Sequence, residues 1–498
     1  LSDRTVTDAD TWLLKDRYLS LPMIVLGNAV DSRAIYALST RFLARSNHVW
    51  PGGDRFCNRA VLEPFRRNVN HILLEASTLA GLKAAVDSFG ARIASLEGEK
   101  QAVPYFRDLG AATGEWKERP FKRSGLDLSK PLEDIKEQIL AKYGKTTIVR
   151  PGGVYCYPAW DWQNGYSIEA AKYASAVLLI LLDRLGPDRF YNGHYNFDRA
   201  FKAWQICFTS GAVPERVINR VEAAMAQQAA YPRDYHASSL RTHDGKRIAR
   251  HADRHMISSL SNYLCGTDYV LSHCRLNPMT EAMISEYDRA YRRIARRFID
   301  SFRCNNVTSE SGDSAVCVLN MMALTGNLEY VRGGALGRAV ENLVASVNNF
   351  GNYTGEGPYI GSYTLTSRCT GRSLANAAAF YYRDPRYRWV ARHVKAQACC
   401  VAHENAVFEQ AGAEQYPEQY LGVRALPFDA RIFRALETPE PLPGNWGGIK
   451  SVPTGLPAED LLDRAFFRDS FEPQDAFLGL MGTQLTSSHQ MLHSNAII

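Results

Sequence analysis

From about residue 165 to 400, apolar positions recur at i, i+3, i+4 and i+7, the spacing that aligns one face of an α-helix. The segments 167–186 (SIEAAKYASAVLLILLDRLG), 197–208, 213–228, 253–272, 279–302, 314–326, 335–347 and 364–382 all show it. Some are apolar almost all round and others are amphipathic. That alternation suits paired inner and outer helices closing into an α/α toroid. No fixed period with shared motif residues runs through them, so a regular solenoid is not expected.

The first hundred residues follow a different rhythm. PMIVLGN (22–28) reads as a buried strand, DSRAIYALSTRFLARS (31–46) as a helix, CNRAVLEPF (57–65) and NHILLEAS (70–77) as strands, and TLAGLKAAVDSFGARIASL (78–96) as a helix on a Thr cap. Residues 101–165, rich in Pro, Lys and aromatics, read as a connection wrapped on the next domain. After Leu426 the loop-like ETPEPLPGNWGGIK (437–450) ends the helices, and 475–498 reads as strands. The expected fold is therefore mostly α: a small α/β domain over 1–100, an incomplete α/α toroid with its N-terminal connection over 101–430, and the start of an antiparallel β domain, a β-sandwich, over 431–498. The apolar strand pattern at Ile498 and the opening at Leu1 without Met lead us to expect a longer product and a targeting segment outside this numbering.

With 46% hydrophobic and 22% charged residues, the composition is that of an ordinary globular protein. No run of about 18 apolar residues is present, so no membrane span is expected. The net charge of +6 is modest, but Arg233, Arg241, Lys246, Arg247, Arg250 and Arg254 cluster with His236, His243, His251 and His255, a concentration suited to an anionic ligand. Zinc-finger spacing, RNP-like strings and heptad-linked basic regions are absent, which argues against nucleic acid. Ten scattered cysteines include no CxxC pair, so zinc-ribbon and thioredoxin-like readings fail.

Polar constellations interrupt the helices. The loop NNFGNYTGEGPYIGSY (348–363) holds four glycines, three tyrosines and one carboxylate, and offers Tyr353, Glu356, Tyr359 and Tyr363. RCNNVTSESGDS (303–314) joins two helices and offers Asn305, Asn306, Glu310 and Asp313, the last also a candidate helix cap. His251 and His255 share a helix face if the helix begins there, but the Glu of an HExxH metal motif is missing. His489 and His493 repeat the spacing near the C-terminal end. The string VYCYPAWDWQNGY (154–166) concentrates Trp160, Trp162 and three tyrosines; sugar rings stack on such faces, and core packing uses them equally.

Two resemblances follow from these residues. The stretch over about 10–95, with a strand ending in Gly-Asn, a Gly52-Gly53 turn, two strands and a final helix, resembles the accessory N-terminal domain of several carbohydrate-active enzymes. Residues 150–498, with Asn305-Asn306, Glu356-Gly357, Tyr359 and Tyr363 on loops and paired histidines in a β domain, resemble polysaccharide lyases of the heparinase II/III and exolytic alginate lyase kind. The resemblance implies β-elimination at a uronic acid in an anionic polysaccharide or oligosaccharide, in a secreted or periplasmic protein. Tyr363 and Tyr359 would supply acid-base hydroxyls, with His255 and Asn306 as catalytic partners. Arg254, Asn305, Glu356, Tyr353, Trp160 and Trp162 would bind substrate. It implies no cofactor and no catalytic metal, and leaves room for a structural divalent metal near the β domain. The alternatives are a glycoside hydrolase using Glu356 with Asp313 or Glu310, and a glycan-binding protein without turnover.

Overall fold

The computed structural model describes residues 21–96, 103, 105–144, 156–185, 197–230, 254–301, 309–351, 364–393, 408–427, 462–481 and 496–497. The chain divides into two compact units: residues 1–235 with 262–288, and residues 236–261 with 289–498. Fourteen α-helices and two four-stranded sheets lie among the described residues, so the fold is mostly α.

The first unit opens with β1 (Met23–Gly27), α1 (Arg33–Ser39), β2 (Arg55–Val61), β3 (His71–Ala76), α2 (Leu79–Ala94) and β4 (Arg107–Ala111). The sheet order is β1-β3-β2-β4, with β1 parallel to β3 and β2 antiparallel to both of its neighbours. Ser32 and Thr78 cap the two helices by accepting from the amides of Ile35 and Gly81. The apolar side of α2, with Ala85 and Phe89, closes over Phe56, Leu74 and Ala76, with Leu26 and Ile72 around them. Gly81 is required by this packing, because a Cβ there would lie 2.6 Å from the Arg55 carbonyl oxygen. The strands and helices expected before residue 97 are all present. However, α1 stops at Ser39, because Phe42 takes a left-handed φ of 61° and the Leu43 amide bonds back to the Leu38 carbonyl, closing the helix end.

The expected connection over 101–165 contains more structure than that reading allowed. β4 extends the sheet beyond residue 100, and α3 (Leu132–Tyr143) and α4 (Cys156–Gln163) are helices. They are followed by α5 (Ile168–Leu185), α6 (Phe197–Phe208), α7 (Glu215–Ala230), α8 (Arg254–His273) and α9 (Pro278–Ser301), the last two passing from one unit to the other. α5 is buried along most of its length, from Ala170 to Leu182, with α3, α4 and α6 packed about it, which accounts for its apolar sequence. No helix among the described residues is long and apolar enough to cross a membrane. Within this unit, the loop after β2 holds the end of α8. The Arg67 amide and guanidinium donate to the Ser272 and His273 carbonyls at 3.0 and 3.2 Å, satisfying acceptors at a helix C-terminus. Arg41 pairs with Asp268 at 3.3 Å.

The second unit contains α10 (Ser309–Thr325), α11 (Glu329–Arg332), α12 (Ala335–Ser346), α13 (Thr364–Tyr382) and α14 (Pro385–His393), then β5 (Gly422–Pro427), β6 (Leu462–Arg468), β7 (Phe477–Met481) and β8 (Ala496–Ile497). α13 packs on α10, α12 and α14, and the antiparallel sheet runs in chain order with β6 against α12. Arg296 caps α10 by donating to the Thr325 carbonyl at 3.1 Å. Two expectations change here. α10 begins at Ser309, so Asp313 lies within the helix and is not its cap. β5 begins at Gly422, so the sheet includes residues before 431.

Candidate active site

Most residues singled out from the sequence lie outside the described residues: Asn305, Asn306, Tyr353, Glu356, Tyr359 and Tyr363, and also His251, His489 and His493. Arg254 and His255 fall on the first turn of α8 and Glu310 and Asp313 on the first turns of α10, with their side chains likewise outside. What the structure does define is how the glycine- and tyrosine-rich loop starts. α12 ends at Ser346, and its C-cap Val347 is extended, with φ −110° and ψ 122°. Asn348 then turns the chain, its side-chain oxygen accepting from the Phe350 amide at 3.0 Å and its carbonyl from the Gly351 amide at 2.9 Å. Gly351 has a φ of 72°, a conformation that glycine adopts without a Cβ penalty.

Asn349 holds this turn to the sheet. Its side chain is buried, and its amide nitrogen donates to the carbonyls of Glu472 and Asp475 at 3.0 and 2.9 Å, both in the β6–β7 connection. Its oxygen accepts from the Arg468 guanidinium, which also donates to the carbonyls of Val344 and Val347 at the end of α12. One arginine thus caps a helix and braces the first turn of the loop. The guanidinium lies between Phe471 and Phe477, with its carbon 4.2 and 4.4 Å from their ring centres. Phe471 in turn meets Trp389, His393 and Tyr416, and its amide donates to the Tyr416 hydroxyl at 3.0 Å. Among the described residues Arg468 forms no ion pair, and burial pulls its pKa down to about 10. Sequence reasoning missed it: an arginine in the strand LDRAFFR reads as an outward residue, and only its two phenylalanine neighbours hint otherwise.

The tryptophans require a correction. Trp160 and Trp162 are each only 1% exposed, so they do not line a groove. Trp162 sits between the guanidiniums of Arg59 and Arg107, at 5.9 and 4.8 Å, and Arg107 donates to its carbonyl at 2.6 Å. The burial has two sources: α4 packs against α5 and α6, and the Arg59 and Arg107 guanidiniums lie over the Trp162 ring. Among the described residues no group of three or more histidines, cysteines or carboxylates is placed to hold a metal. Cys57, Cys207 and Cys274 carry free thiols.

No protein-family model, no curated protein and no solved structure matches this chain.

Proposed function

We propose that this chain is a polysaccharide lyase that cleaves a uronic-acid-containing polymer by β-elimination, built on a helical toroid followed by a β-sandwich and acting outside the cytoplasm, in a secreted or periplasmic setting. The observation that supports it best is the brace between Asn349 and Arg468, which ties the start of the loop bearing Tyr353, Glu356, Tyr359 and Tyr363 to a β-hairpin. A purely connecting loop between two helices has no need of a buried arginine at its root. A loop that must present acid-base groups to a sugar does, because a misplacement of about 1 Å lowers the rate steeply.

In this reading a tyrosine of the loop, held as its phenolate by Arg254 and His255, takes the C5 proton of the uronate, and the hydroxyl so formed protonates the leaving oxygen. Asn305 and Asn306 bind the carboxylate and the enolate-like charge that develops on it. The C4–O bond breaks as the C4=C5 double bond forms. Incubation with a panel of anionic and neutral polysaccharides, followed by the ultraviolet absorbance of an unsaturated uronate, tests the proposal. New absorbance with the anionic polymers is expected. Reducing ends without that absorbance would replace it with a hydrolase using Glu356 with Asp313 or Glu310.

A further inference from the structure

The turn between α4 and α5 carries a second cluster that the candidate active site does not use. Segment 117–123 runs alongside it: the Arg119 amide donates to the Gly165 carbonyl at 2.9 Å, the Ser167 amide to the Arg119 carbonyl at 2.8 Å, and the Phe121 amide to the Ser167 hydroxyl at 3.1 Å. Pro120 keeps Arg119 out of the helical region. Side chains of an extended segment alternate, so Arg119, Phe121 and Arg123 share one side. The ring contacts bear this out. Arg119 lies over Tyr166 at 5.7 Å, and Arg123 lies 5.2 Å from the centres of both Phe121 and Tyr173, with Phe121 edge-on to Tyr166.

Charge on this surface is unbalanced. The nearby carboxylates Glu115 and Glu118 are engaged by Lys117 and Arg107, whereas Arg119, Lys122 and Arg123 are exposed and none forms an ion pair among the described residues. Glu169 lies near Glu118, and half-buried Asp161 lies beside Arg123; burial pushes the Asp161 pKa up and Arg123 pulls it down. The two guanidiniums stand on positions four apart, roughly 13 Å along an extended segment. A guanidinium lying flat on a ring keeps its N–H edge free for a carboxylate.

We propose that Arg119, Arg123, Tyr166 and Asp161 form a binding surface for a carboxylate-bearing polysaccharide, distinct from the residues assigned to turnover. The guanidiniums take up carboxylates on successive parts of the chain, the free part of the Tyr166 ring receives a sugar face, and Asp161 accepts from hydroxyls. A half-buried carboxyl among the cations disfavours the denser charge of a nucleic acid backbone and suits a ligand that offers hydroxyl donors. The proposal shares with the preceding reading only the class of ligand, and binding alone measures it.

The test is a titration of the full chain with polygalacturonate, dextran and a single-stranded DNA oligonucleotide at low and high salt, with product absorbance followed in the same samples. Polygalacturonate is expected to bind and to weaken with salt, and the R119S/R123S pair to lose about tenfold or more in affinity. K117S, which removes one charge already paired with Glu115, is the control and should change affinity by less than about twofold. If the serine pair fails to fold, R119K/R123K replaces it, and a loss of about threefold is expected because lysine lacks the bidentate fork. Absence of polygalacturonate binding, tighter binding of DNA, unchanged affinity in the arginine variants, or an equal loss in K117S would each overturn the proposal. Binding that persists without turnover counts against the lyase reading and leaves this surface standing.

Discussion

The Arg468 guanidinium donates to the side-chain oxygen of Asn349, so a strand residue and a loop residue 119 positions apart share one buried hydrogen bond. Replacing Arg468 by Met keeps the aliphatic packing between Phe471 and Phe477 but removes the guanidinium donor from the Asn349 oxygen and the Val347 carbonyl, and leaves the Val344 carbonyl only the 3.4 Å bond from the Val347 amide. The loss should be about 2–4 kcal/mol by chemical denaturation, since each orphaned buried acceptor costs about 1 kcal/mol or more. R468K should recover only part of it, because an ammonium lacks the planar fork that spans the separate acceptors. A variant as stable as the parent would show that the brace is dispensable.

Glu222 on α7 provides a pH signature. Burial pushes its carboxyl up to about 7, Arg67 and Arg275 pull it down, and Glu63 raises it further. The folded protein therefore holds this proton over a range in which the unfolded chain, near the ordinary 4.5, has released it. Folding binds the proton, so the contribution to stability is greatest below about 4.5 and declines as pH rises toward about 7, by on the order of 3 kcal/mol at most. Glu222→Gln should flatten that decline and raise the melting temperature at pH 8 relative to the parent. An unchanged slope in the variant would mean that another group titrates.

Local chemistry made the first sheet and most helices legible: Thr78 before an amphipathic run is sufficient to start α2, and the 12-residue pattern of α6 is unbroken. α3 is legible too, although the composition of 101–165 reads as a connection. Pro131 precedes it, Glu133 and Asp134 lie in its first turn, Lys142 in its last, and Gly144 with φ 62° ends it. The hidden part is what depends on partners far along the chain. Whether Trp162 faces a sugar or the core is decided by Arg59 and Arg107 on two strands of the sheet. In the same way Arg468 is an inward cation because α12 ends in carbonyls beside it. Neither relation leaves a periodic trace in the sequence.

Glu75 and Arg59 form an ion pair at 2.8 Å in the sheet, with side chains only 0% and 3% exposed. Ser46 donates its hydroxyl to Glu75 at 2.7 Å, and Arg59 also donates to the Leu43 carbonyl at 2.7 Å. Burial works against the Arg59 charge, but the neighbouring Glu75 carboxylate outweighs it and keeps the guanidinium pKa above its ordinary value. Glu75→Gln leaves that cation buried without its counter-charge and should cost roughly 3–5 kcal/mol. In the double variant E75Q/R59M the loss should be smaller than the sum of the single losses, and a double-mutant cycle in denaturant measures the coupling. Strict additivity would show that the pair is not coupled.

The sharpest test of the proposed chemistry is at Tyr359 and Tyr363, four positions apart just before α13. Tyr→Phe removes a hydroxyl and nothing else. If one of them transfers the proton, turnover on the responsive polyuronate should fall by a factor on the order of 10² to 10⁴. Stability should change by no more than about 1 kcal/mol. Tyr363 is the residue next to α13 in sequence, and the larger fall is expected in Y363F, with Y359F raising KM more than it lowers kcat. A structural tyrosine would give the reverse, a lower melting temperature with near-normal turnover in the folded fraction. Full activity in both variants would remove proton transfer from Tyr359 and Tyr363 and leave Tyr353 and Glu356 as the remaining reactive groups of this loop.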